Sequence, residues 1–121
     1  MEMLVVIKAR DPEGLSRFYA ALGLHFECER HGNGPEHYAS RVGASVFEIY
    51  PRASDTDSTS STRIGFGVAD LDAACTNVLI GRGRMVRAAA DTPWGRRAVV
   101  TDPEGHTVEI VETEKPMASP S

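Results

Sequence analysis

"TDPEGHTVEIVE", residues 101–112, reads as a tight turn feeding a half-buried strand. Asp102, Pro103 and Gly105 suit the first, second and fourth positions of a type I turn between two strands. Beyond it Val108 and Ile110 alternate with Thr107, Glu109 and Val111, the two-residue period of a strand with one face in a core. Glu109 then lies on the face away from the core. A carboxylate there can hold a metal ion, bind another ligand in a cleft, or face water. DPEG also occurs at 11–14, where Leu15, Phe18, Tyr19 and Leu22 follow at helical spacing. The same letters open a helix there, with Asp11 as N-cap and Pro12 in the first turn.

Working outward, the chain reads as one unit written twice. The first half gives a strand at 2–9, a helix from Asp11 that Gly23 ends, and strands at 25–30, 36–42 and 45–50. Residues 51–61 hold Pro, Arg, Ala, Ser, Asp and Thr but no large apolar side chain, which is a linker composition. The second half gives a strand at 62–68 and a helix capped by Asp70 with the stripe Leu71, Ala74, Cys75, Val78 and Leu79. Gly81 and Gly83 end that helix, and strands follow at 84–90, 96–101 and 106–112. Asp11 and Asp70 stand 59 residues apart, and Glu48 of "VFEIY" and Glu109 of "TVEIV" stand 61 apart. The reading is α+β: two βαβββ modules, 1–50 and 62–113, whose paired curved sheets surround a cleft with the helices outside, followed by a frayed polar tail at 114–121. Neither module buries enough surface to stand alone.

Strand alternation assigns the cleft faces. Phe47 and Ile49 go to the helix side, and Val46, Glu48 and Tyr50 to the cleft. Ile64, Phe66 and Val68 go to the helix, leaving Arg63, Gly65 and Gly67 on the cleft, where small residues make room. Leu4, Val6 and Lys8 are assigned to the cleft by analogy. Tyr38 can line it, and His37 can sit at its mouth or face solvent. His106 reads as a turn or surface residue. Trp94, in a loop after Pro93, covers the core edge or acts as an aromatic lid over a planar ligand.

Composition narrows the function classes. The hydrophobic fraction is 41% and the charged fraction 25%, ordinary for a globular domain. A net charge of −4 and a pI near 5.5 leave no basic footprint for nucleic acid. No apolar run nears the roughly 20 residues of a membrane span, and the N-terminal run reads as a first strand rather than a signal peptide. Cys28 and Cys75 form no paired motif and read as buried or half-buried reduced thiols, so the expected location is cytoplasmic.

The doubled βαβββ pattern, with "DPEGLSRFYAALGL" early, "DPEGHTVEIVE" late and Trp94, Gly95 and Arg97 between, resembles the vicinal oxygen chelate superfamily. That superfamily includes glyoxalase I, extradiol dioxygenases and bleomycin-resistance proteins. The resemblance implies a cleft completed in a homodimer and, in metal-using members, one divalent ion. Its ligand positions fall on Leu4, Glu48, Arg63 and Glu109, so both carboxylates are kept and both histidines are replaced. Leucine donates nothing and arginine repels a dication, so no metal or other cofactor is expected. The expected function is small-molecule binding of the bleomycin-resistance type, sequestering a planar or amphipathic, cationic compound. Leu4, Val6, Tyr38, Glu48, Tyr50, Arg63, Trp94 and Glu109 are the candidate ligand-binding residues. The alternative is an enzyme, a glyoxalase-like lyase or a dioxygenase. It would use either a divalent ion on displaced ligands (Glu48, Glu109 and His37) or Glu48 or Glu109 as a catalytic base without metal. A third reading is a filled, vestigial cleft with both glutamates paired to Arg63.

Overall fold

The computed structural model describes residues 1–113; the tail expected at 114–121 lies outside the described residues. The elements run β1 (Leu4–Ala9), α1 (Pro12–Ala20), β2 (Glu27–Glu29), β3 (His37–Val42), β4 (Ser45–Pro51), β5 (Arg63–Val68), α2 (Leu71–Ile80), β6 (Arg84–Thr92), β7 (Gly95–Thr101) and β8 (Thr107–Glu112). They form two four-stranded sheets, ordered β1-β4-β3-β2 and β5-β8-β7-β6. In each sheet the first strand pairs in parallel with the last, and the other pairs are antiparallel. The two βαβββ repeats and the α+β class are therefore present as read. Among the described residues no helix is long and apolar enough to cross a membrane.

Both helices start on an aspartate. The Asp11 carboxylate accepts from the Gly14 N–H at 3.0 Å, and that of Asp70 from the Ala73 N–H at 3.0 Å. The end of α1 is the expected glycine cap, and that of α2 is so only in part. Helix α1 closes at Ala20, and Gly23 takes up the left-handed backbone (φ 115°) after it. Beyond α2 the left-handed residue is neither glycine but Arg82 (φ 70°). Gly83 serves close approach instead, since a Cβ there would meet the Thr101 carbonyl oxygen at 2.7 Å. The strain falls on a side chain that left-handed geometry disfavours. Arg82→Gly is expected to raise stability by about 0.5–1 kcal/mol in urea denaturation, the relief of strain exceeding the added freedom of the unfolded chain.

The two modules share one core. Ile7, Ala9, Phe47 and Ile49 of the first sheet and Ala98, Val100, Val108 and Ile110 of the second are buried in the same cluster as Leu15, Tyr19, Leu71 and Val78 of the helices. The Tyr19 ring lies 5.3 Å from Phe47 and 5.5 Å from Phe66, bridging the halves. Its hydroxyl donates to Asp102 at 2.6 Å. Burial, then the Asp102 charge, raises the pKa of Tyr19 far above its ordinary value, which keeps that donor in place.

His106 is not at the surface as expected. It is 1% exposed, with Nδ1 at 2.9 Å from Asp102 and Nε2 at 2.7 Å from the Thr59 hydroxyl. A buried imidazole is tolerated because both ring nitrogens have partners. The Thr59 hydroxyl also accepts from the Lys8 backbone N–H at 2.9 Å. The turn of β7–β8 reaches back as well: the Glu104 carboxylate accepts from the backbone N–H groups of Arg10 and Asp11, at 2.8 and 3.0 Å. Cys75 is half-buried, but Cys28 is exposed, because it sits on the short edge strand β2.

Candidate functional site

Because the inner face of each sheet is spent on the common core, the opposite faces are open. On the first sheet, register aligns Val6 with Glu48 and Lys8 with Tyr50, and Glu48 with Ala39 across β3. Glu29 pairs with His37 across β2 and β3. This face therefore carries Leu4, Val6, Glu48 and Tyr50 together with His37 and Glu29. Tyr38 is not among them. It registers with Ile49 on the helix side and packs against the edge of the core. A strand turns successive side chains to opposite faces, so the residue on the open face is its neighbour His37.

His37, expected at the cleft mouth or in solvent, is 1% exposed. Its ring stacks on Tyr50, with centroids 4.1 Å apart and planes within 7°. Its Nε2 lies 3.4 Å from Glu48 and 3.7 Å from Glu29. Burial, with Glu48 and Glu29 adding, raises the Tyr50 phenol above its ordinary pKa, so its O–H stays a donor, 3.4 Å from His37 Nε2.

On the second sheet, Glu109 aligns with Gly65 and Val99. Arg63 Nε donates to Glu109 Oε1 at 2.8 Å, and its Nη2 contacts the same oxygen. Arg97 Nη2 adds a third contact at 3.3 Å. The Arg63 hydrogen bond, and then the charges of Arg63 and Arg97, hold the Glu109 carboxyl below its usual range despite partial desolvation. A depressed carboxyl stabilises the fold above its unfolded pKa, and that contribution fades as pH falls through the lower folded value. Among the described residues no hydrogen bond or ion pair links Glu48 to Glu109 or to Arg63. The filled-cleft pairing of Arg63 with both glutamates is therefore absent within one chain.

The residues at the superfamily's metal positions do not suit an ion. Leu4 has no donor atom, and Glu109 is already engaged by two guanidinium groups. Trp94, at the tip of the β6–β7 hairpin, is 80% exposed and does not cover the core edge. Leu4 and Val86 are also exposed, at 63% and 57%. Burial could not have been read from one histidine in isolation. A usable signal was the shared parity of His37 with Glu48 across one hairpin.

The model of the glyoxalase-like domain family matches residues 4–111, nearly the whole described chain, and the protein belongs to that family. No curated protein sequence matches it significantly. Solved structures confirm the fold at low identity. The antibiotic-binding protein TnmS3 from Streptomyces sp. CB03234 is 20% identical, with 92% of this chain and 93% of that chain covered and a TM-score of 0.72. A member of the glyoxalase/bleomycin resistance protein/dioxygenase superfamily from Sphaerobacter thermophilus DSM 20745 is 17% identical, covering 93% and 97%, with a TM-score of 0.72. A family enzyme from Burkholderia phytofirmans PsJN is 20% identical, covering 90% and 95%, with a TM-score of 0.70.

Proposed function

We propose that this chain is a small-molecule-binding protein of the bleomycin-resistance type, with no metal at the superfamily's ligand positions. The observation that carries this reading is the capture of Glu109 by Arg63 and Arg97. A guanidinium stands where an ion's charge would be, and one of the two carboxylate oxygens, Oε1, is committed to it. The working unit is a homodimer in the cytoplasm. Each open face of one copy meets the complementary face of the other, which covers Leu4 and Val6 and makes two clefts. Electrostatics favour that pairing, since Glu29 and Glu48 lie on one face and Arg63 and Arg97 on the other.

The ligand is planar or amphipathic. Trp94 and Tyr50 supply aromatic surface, and a cationic group is drawn to Glu48, because Glu109 is already neutralised. TnmS3, described as antibiotic-binding, has the same fold and lends the reading support.

Trp94 is the sole tryptophan, so its emission reports directly on a cleft ligand. Metal-free bleomycin and a panel of planar amphiphiles of positive, zero and negative charge are the probes. At least one cationic compound is expected to quench Trp94 and raise the melting temperature. Trp94→Ala is expected to weaken it about tenfold, the loss of one stacked ring. A chain that stays monomeric in sedimentation and answers no probe would sink the proposal.

A further inference from the structure

We infer that the open face of the first sheet holds a divalent transition-metal site made by Glu29, His31, His37 and Glu48, which shares Glu48 alone with the superfamily's ligand positions. One ligand atom from each lies within 4.8 Å of all the others. His37 Nδ1 is 3.3 Å from the Pro35 carbonyl oxygen, and that oxygen can only accept. Nδ1 therefore carries a proton, which leaves Nε2, beside Glu48 and Glu29, to accept from the Tyr50 hydroxyl at 3.4 Å or to take an ion in its place. An imidazole fixed by a backbone carbonyl on its far nitrogen is the arrangement that prepares a metal ligand.

His37 Nε2 and the two carboxylates thus converge on one point, with the Tyr50 hydroxyl as the proton donor that an ion would displace. Among the described residues the ion-pair partner of both Glu29 and Glu48 is His37, whereas Glu109, at the matching place in the second repeat, has two arginines. A shared cation resolves that convergence. Two imidazoles and two carboxylates select Zn²⁺, Co²⁺ or Ni²⁺ over Mg²⁺ or Ca²⁺, which prefer oxygen alone. Bonds of about 2.0–2.2 Å require the four groups to draw in by about an ångström. The freedom for this lies with His31, exposed on a turn beside Gly32, which has a φ of 58°.

The site goes beyond the binding role proposed above and does not depend on it. The test uses the full chain stripped of metal by chelation and titrated with Zn²⁺, Co²⁺ and Mg²⁺ by calorimetry. Cobalt absorbance reads the coordination. The expected result is one Zn²⁺ or Co²⁺ per chain, a tetrahedral cobalt spectrum, and no response to Mg²⁺. His31→Ala and Glu29→Gln change groups outside the core and are expected to weaken the ion by at least ~10-fold each. Glu109→Gln is expected to leave it unchanged. Absence of saturable Zn²⁺ and Co²⁺ binding would overturn the site, as would binding indifferent to His31→Ala and Glu29→Gln. Binding lost with Glu109→Gln alone would place the ion at the superfamily position, overturning this site and the metal-free reading of that position together. Failure of the dimer or of the organic probes leaves the zinc result standing on its own.

Discussion

Asp102→Ala is expected to cost about 3–5 kcal/mol, the largest stability loss of any single polar substitution in the chain. The carboxylate accepts from the Tyr19 hydroxyl, the backbone N–H groups of Glu104 and His106, and His106 Nδ1. Alanine leaves a buried phenol without its partner and the buried His106 ring with Nδ1 unpaired, and removes the clamp that shapes the β7–β8 turn. Tyr19→Phe removes one of these bonds and is expected to cost about 1–2 kcal/mol. Urea denaturation separates the cases. The midpoint should fall in that order with little change in slope, since the unfolded surface is the same. A loss below about 1 kcal/mol for Asp102→Ala would mean that apolar contact, and not this network, sets how the halves meet.

Restoring histidine at Leu4 and Arg63 should create a second kind of metal site. On a His31→Ala background, which weakens the cluster on the first sheet, Leu4→His with Arg63→His is expected to bind Zn²⁺ at least ~100-fold more tightly than either single change. At the superfamily's positions each open face then offers one imidazole and one carboxylate. Two ligands per face hold zinc poorly, so strong binding requires both faces at once. Zinc should therefore also tighten the dimer, which sedimentation with and without the ion measures. No gain over the single variants would show that the Glu48 face of one copy does not meet the Glu109 face of another.

Period and spacing carried most of the fold. Alternation in "TVEIV" and "VFEIY" put Val108, Ile110, Phe47 and Ile49 in the core, where each is buried. The repeat of about 60 residues gave the order of the elements, because a duplicated module must keep its helix cap and its last strand in step. Other features turn on contacts that no local pattern encodes. His106 is buried because Thr59 and Asp102, distant in one direction and near in the other, satisfy its ring. Tyr38 lies one residue off the expected parity because β3 mixes polar and apolar residues on both faces and has no strong hydrophobic marker. Glu29 and His31 were missed as partners of Glu48 because they come together only once β2 pairs with β3 and the turn folds over.

The common core has a consequence for what the chain is as a molecule. With Tyr19 between Phe47 and Phe66, and Glu104 holding the backbone at Arg10, the two repeats relate to each other as bound partners rather than as neighbours on a string. The peptide between them acts chiefly by keeping one at high effective concentration for the other. Opened within its exposed stretch at 53–56, ahead of Thr59, the protein becomes a two-fragment complex. Each fragment is the template on which the other folds.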